Sequence, residues 1–171
     1  MRLAIYVILA LVAVQRLAEV VYANHNTKAL LARGAVEIGR KHYPLIVLLH
    51  ASWLAAILIF LPVNATIHWI WFGLFLILQG LRVWVLATLG PYWTTRIITL
   101  PGAPLVRKGP FRFIRHPNYT VVAGEIAALP LAFGEWQVAV VFTILNGLML
   151  AWRIRAEDAA LSARRQAAHA G

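Results

Sequence analysis

The chain has 171 residues, 61% of them hydrophobic, with a formal net charge of +10 and a mean hydropathy of +0.74. Soluble domains of this size are nearer half apolar. Here the excess falls in long runs separated by basic segments, which points to a bilayer rather than to a large soluble core. The absence of cysteine excludes disulfides, thiol nucleophiles and cysteine-based metal centres. No metal site is expected, and no nucleic-acid partner either, because no binding motif accompanies the positive charge.

A helix needs about 20 apolar residues to cross the ~30 Å hydrocarbon core. Leu3 to Ala23 meets that requirement. It resembles a signal peptide in position, but it carries Gln15, Arg16 and Glu19 where a plain apolar run belongs, so it is read as a retained first helix. A polar segment follows from Asn24 to Tyr43. Pro44 opens a second run that ends near Leu61, consistent with the tolerance of the first helical turn for proline. After a short turn at Pro62 to Thr66, Ile67 to Leu89 forms a third span with Trp69 and Trp71 as interface anchors.

Gly90 to Pro117 is too polar and too rich in proline to span. Tyr119 to Phe133 and Trp136 to Trp152 are two further apolar runs joined at Gly134 and Glu135, and the first of them is short for a full crossing. The tail from Arg153 to Ala168 reads as a charged helical extension. The expected fold is therefore all-α, a polytopic bundle of about five transmembrane helices forming a single domain over residues 1–171.

Lysine and arginine sit in the segment between helices one and two (Lys28, Arg33, Arg40, Lys41), between helices three and four (Arg96, Arg107, Lys108, Arg112, Arg115) and in the tail (Arg153, Arg155, Arg164, Arg165). The two opposite turns have none. Five crossings put all the basic segments on one side, which predicts a multi-pass protein of a bacterial inner membrane with a cytoplasmic C-terminus, its basic loops against anionic lipid. The oligomeric state is left open.

Charged residues inside the runs are costly, about 2.5–3.5 kcal/mol each at mid-bilayer on insertion scales, and normally face the bundle interior. Arg16 and Glu19 share a helix face, either as an internal salt bridge or as part of a site. Arg82 either snorkels or pairs with Glu125. Glu125 is either a desolvated general base or the structural partner of an arginine. His50 and Gln79 are milder cases.

The densest signal runs from Pro104 to Tyr119 (PLVRKGPFRFIRHPNY) and leads into helix four. The first turn of that helix, at Pro117, offers N–H groups and a dipole that favour an anion such as a carboxylate. His116 and Arg115 add donors, and Tyr119 adds an aromatic face and a hydroxyl. The set suits a zwitterionic sulfonium cofactor. At the end of helix five, Arg153 and Glu157 are four apart on one face. They are either a simple ion pair on a solvated tail, or a pair in which Glu157 holds a cofactor amino group and Arg153 an acceptor oxygen.

Arg115-His116-Pro117-Asn118-Tyr119, preceded by Leu105-Val106 and Gly109 and followed after a helical hairpin by Arg153 and Glu157-Asp158, resembles the isoprenylcysteine carboxyl methyltransferase family. The likeness covers roughly Leu105 to Leu161. The first half, with Gln15-Arg16-Leu17, Gly34-Ala35-Val36-Glu37, His42-Tyr43-Pro44 and Trp93 to Ile98, is similar to a bacterial branch associated with O-methylation of alkylpyrone-type lipids. The resemblance implies a bundle whose cytoplasmic end encloses S-adenosylmethionine. It implies that Pro104, Leu105, Val106, Arg107, Phe111, His116, Pro117, Asn118 and Tyr119 form the cofactor segment, that Glu157 is the acidic cofactor contact, and that Arg153 orients a lipophilic acceptor. Glu125 stands beside them as a second catalytic candidate on its own intramembrane position. The chain is short beside the eukaryotic pattern, which weighs against a prenylated-protein substrate. The rivals are a phospholipid N-methyltransferase, a sterol-type membrane reductase using NADPH, and a non-catalytic scaffold or transporter.

Overall fold

The computed structural model describes residues 1–40, 43–103 and 106–169, with side chains described as far as residue 159. Helix α1 spans Arg2–Ala32, α2 Tyr43–Phe60, α3 Trp69–Leu89, α4 Pro117–Ala132 and α5 Trp136–His169. Between α1 and α2 lies strand β1, Val36–Ile38. Between α3 and α4 lie two single-turn helices and strand β2, Ile97–Thr99. Helices α1, α2, α3 and α5 are each long and apolar enough to cross a membrane. Together with α4 they make the all-α membrane bundle expected from the apolar runs.

With 16 residues, α4 is the short member, and it is the helix the others enclose. Its buried residues, among them Val121, Val122, Glu125, Ile126, Ala128 and Leu129, cover more than half of its circumference, a wider face than a surface helix buries. The main core gathers around it: Ile5, Leu9 and Val12 of α1, Trp53 and Ile57 of α2, and Phe75 and Leu78 of α3 pack against Val121, Ile126 and Leu129. Pro130 lies inside α4 and has no N–H to donate to the carbonyl of Ile126. The indole N–H of Trp53 donates to that carbonyl instead, at 3.2 Å. A backbone gap that would be costly in an apolar interior is thereby closed from the neighbouring helix.

The backbone N–H of His68, just before α3, donates to the carbonyl of Ala132 at 2.8 Å. The start of α3 and the end of α4 therefore share one end of the bundle. The start of α4 meets the C-terminal half of α5 at the other end, through Tyr119 and Glu157.

Two features depart from the sequence reading. The segment from Asn24 is not a linker: α1 continues to Ala32, with Asn26, Thr27 and Leu30 buried. The Asn26 amide donates to the carbonyls of Gly90 (3.1 Å) and Trp93 (2.9 Å), so its polarity serves the end of α3. The second feature is a small antiparallel ladder in which Val36, Glu37 and Ile38 face Thr99, Ile98 and Ile97. The Arg96 guanidinium donates to Glu37 at 2.9 Å and lies 4.3 Å over the ring of Tyr43, fastening this strap to the start of α2.

Candidate active site

Pro117 occupies the first turn of α4, where its fixed φ favours the helix and its missing N–H costs nothing. The N–H groups of Tyr119 and Thr120 bond to the carbonyl of His116 at 3.1 and 3.2 Å. That geometry turns Tyr119 toward α5. Its hydroxyl accepts from Arg153 Nε at 2.8 Å and donates to Glu157 Oε2 at 2.5 Å. Arg153 also donates through Nη2 to the carbonyl of Thr95 at 2.5 Å. The expected i,i+4 pair on α5 is thus a relay in which a tyrosine from another helix stands between arginine and glutamate.

His116 completes the cluster. Its ring stacks on Tyr119 with centroids 5.5 Å apart. Its Nδ1 lies 3.8 Å from Glu157, and its Nε2 lies 3.2 Å from Asp158. Arg153 is only 7% exposed although it lies where α5 passes from its apolar half to its charged half.

This cluster borders a cavity of about 720 Å³, in the range of sites that enclose a small molecule. Val106, Arg107, Phe111, His116, Pro117, Asn118, Tyr119, Arg153 and Glu157 all line it, so the structure brings these sequence-predicted residues together around one space. Pro104 and Leu105 lie outside the described residues. Gly109 shapes the turn that presents Phe111: its φ is +57°, and a Cβ there would come within 2.5 Å of the Thr88 hydroxyl. Several cavity-lining polar atoms are buried without a hydrogen-bond partner among the described residues, namely Trp93 Nε1, Thr95 Oγ1, Arg96 Nε and Asn118 Oδ1. Buried polar atoms are normally satisfied, so donors and an acceptor left open around one cavity mark a place for a polar ligand.

Deeper in the bundle a second polar group adjoins the same cavity. Arg82 donates to Glu125 through Nε at 2.9 Å and through Nη2, and to Glu19 at 3.0 Å. Arg16 donates to Glu19 at 2.9 Å and to Glu125 at 2.8 Å. Gln15 bridges Glu19 and Gln79 at 2.9 and 2.8 Å. Two arginines and two carboxylates from α1, α3 and α4 thus neutralise one another, as residues in an apolar interior must. Arg16, Glu19 and Arg82 line the cavity, whereas Glu125, 1% exposed, lies behind them with both oxygens held by guanidinium groups. Of the two sequence readings of Glu125, this geometry is that of the arginine partner.

Tyr43, Thr94, Thr95 and Arg96, which the sequence marked only as family-like stretches, and Asn146, which it did not mark, also line the cavity. Their position depends on the strap and on the path of α5. Asn146, Arg153 and Glu157, at helical spacing on one face of α5, were the available signal.

Three comparisons bear on this arrangement. The family model described as "Isoprenylcysteine carboxyl methyltransferase (ICMT) family" matches residues 71–163. A protein of Bacillus subtilis (strain 168), named "Uncharacterized protein YpbQ", is 38% identical over 161 residues, covering 91% of this chain and 95% of its own. An "Uncharacterized protein" of Haemophilus influenzae is 29% identical over 143 residues, covering 80% of this chain and 83% of its own. No solved structure matches the chain significantly. The family match takes in more than half of the chain and includes the whole Arg153–Tyr119–Glu157 relay, so this protein belongs to the isoprenylcysteine carboxyl methyltransferase family of membrane methyltransferases.

Proposed function

We propose that this protein transfers a methyl group from S-adenosylmethionine to an oxygen of a lipophilic acceptor, carboxylate-like or alkylpyrone-like, at the cytoplasmic face of a bacterial inner membrane. The observation that carries this reading is the Arg153–Tyr119–Glu157 relay at the border of a cavity that continues into the membrane-spanning part of the bundle. The residues present fit the cofactor. The open donors at Trp93, Thr95 and Arg96 and the open acceptor at Asn118 match the mixed polarity of a zwitterion carrying an amine, a carboxylate and a nucleoside.

Glu157 would take the amino group, while His116 and the first turn of α4 would take the carboxylate. Phe111 and Val106 supply apolar surface for the nucleoside. Bound there, S-adenosylmethionine supplies a methyl group already activated for transfer, so the protein's work is positioning and electrostatics. Arg153, oriented by Tyr119 and the Thr95 carbonyl, would hold the acceptor oxygen. The basic loops gathered at this end of the bundle favour the cytoplasmic side for it.

The test is calorimetry on the purified protein in lipid nanodiscs with S-adenosylhomocysteine and, separately, NADPH. Binding of the first alone supports the reading. Binding of NADPH alone would replace it with a membrane reductase. Mass spectrometry of membrane lipids after incubation with methyl-labelled cofactor then shows whether the label sits on oxygen or on a headgroup nitrogen.

A further inference from the structure

The cavity does not end at the relay. On α2, Tyr43, Ile46, Val47, His50 and Leu54 line it at helical spacing, and on α5 Asn146 does so on the same face as Arg153. Seven residues separate Tyr43 from His50, and seven separate Asn146 from Arg153. At 1.5 Å per residue, both polar side chains stand about 10 Å deeper in the bundle than the entrance. The Nδ1 atom of His50 lies 2.9 Å from the carbonyl of Ile46. A carbonyl only accepts, so the ring proton is on Nδ1, and the lone pair of the neutral ring is on Nε2. An imidazole with its tautomer set by the backbone, standing at the wall of a ligand-sized cavity, has the form of a base.

We propose that His50 is a catalytic residue that accepts the proton of a weakly acidic hydroxyl on the acceptor. The proposal rests on the methyltransferase reading and assigns it a proton acceptor in place of Glu125, whose oxygens are taken. The proton passes from the hydroxyl to Nε2, and the oxygen's electron pair forms the new carbon–oxygen bond. The pair of the broken carbon–sulfur bond stays with the departing thioether, and the imidazolium returns its proton to water. The charged groups that act on the ring are Arg16 of α1, Arg82 of α3 and Glu125 of α4, while Glu19, Tyr43 and Arg153 line the same cavity. All of them remain in a His50→Gln variant, so a difference from the parent protein isolates the imidazole.

The probe is 4-dodecyl-2-nitrophenol, whose phenolate is visible by absorbance, added to the full chain in nanodiscs without methyl donor. In His50→Gln the apparent pKa of the bound probe should rise by about one unit, a tenfold change in proton affinity. S-adenosylhomocysteine binding should be unchanged. With methyl donor present, transfer to the probe should fall by about tenfold below the probe's pKa, shift its acidic limb up by the same unit, and recover in His50→Ala on addition of imidazole. Transfer to dodecanoate, already ionised, should change little. An unchanged phenolate share, or equal loss on the two acceptors, would overturn the role of His50. Failure of S-adenosylhomocysteine to bind the parent protein would instead overturn the methyltransferase reading beneath it.

Discussion

Tyr119 on α4 donates its hydroxyl hydrogen to Glu157 on α5 across 2.5 Å of space and 38 residues of sequence. The same oxygen accepts from Arg153, so one phenol fixes the positions of both charged side chains at the border of the cavity. Removing that oxygen alone tests the relay. Tyr119→Phe keeps the ring that stacks on His116 but removes the hydroxyl that joins Arg153 to Glu157. Hydrogen bonds to charged groups contribute about 1.5–3 kcal/mol, so S-adenosylhomocysteine should bind roughly tenfold more weakly or worse by calorimetry. Thermal stability should change far less than affinity, and a variant that unfolds instead would show the phenol to be structural.

The ion network behind the cavity makes a prediction of the opposite kind. Glu125→Gln leaves Arg82 and Arg16 with one carboxylate between them in an apolar interior. Breaking a buried pair from one side costs about 3–5 kcal/mol, and a marked drop in the unfolding midpoint in detergent is expected. The double variant Arg82→Met, Glu125→Leu keeps Arg16 with Glu19 as a neutral pair and should be less destabilised than Glu125→Gln. Wild-type stability with lost activity in Glu125→Gln would return Glu125 to the catalytic list.

Trp53 and Pro130 are coupled through a carbonyl that neither owns. Trp53→Phe leaves the Ile126 oxygen unsatisfied, at a cost of about 1–3 kcal/mol. Pro130→Ala provides a backbone N–H for the same oxygen. The double variant should therefore recover stability lost in Trp53→Phe alone, as a thermal unfolding series would measure. Strictly additive effects would show that the indole contributes packing only.

Glu135 lies in the turn before α5, 3% exposed, and neither of its carboxyl oxygens has a hydrogen-bond partner among the described residues. Burial raises its pKa to about 7. The folded protein therefore holds a proton that the unfolded chain releases near the ordinary carboxyl value. Its contribution to stability is fully present below that ordinary value and is lost as pH rises through about 7. The unfolding midpoint should decline over this window in the parent protein and lose that part of its pH dependence in Glu135→Gln. Identical profiles would refute the assignment.

The apolar runs, the prolines and the one-sided basic loops were enough to specify a helical membrane bundle, because crossing a bilayer imposes a length and a composition that can be read residue by residue. The Pro104 to Tyr119 segment and the Arg153/Glu157 spacing were enough to nominate one end of it as the site. Tertiary structure alone decided the rest. Whether Glu125 is a base or an arginine's partner depends on where Arg16 and Arg82 arrive from two other helices. Whether Asn26 ends a span or caps α3 depends on the carbonyls of Gly90 and Trp93. Whether Arg153 and Glu157 pair directly depends on a tyrosine from α4. Hydropathy and helical period act along the chain, whereas desolvation and hydrogen-bond pairing are settled between segments dozens of residues apart.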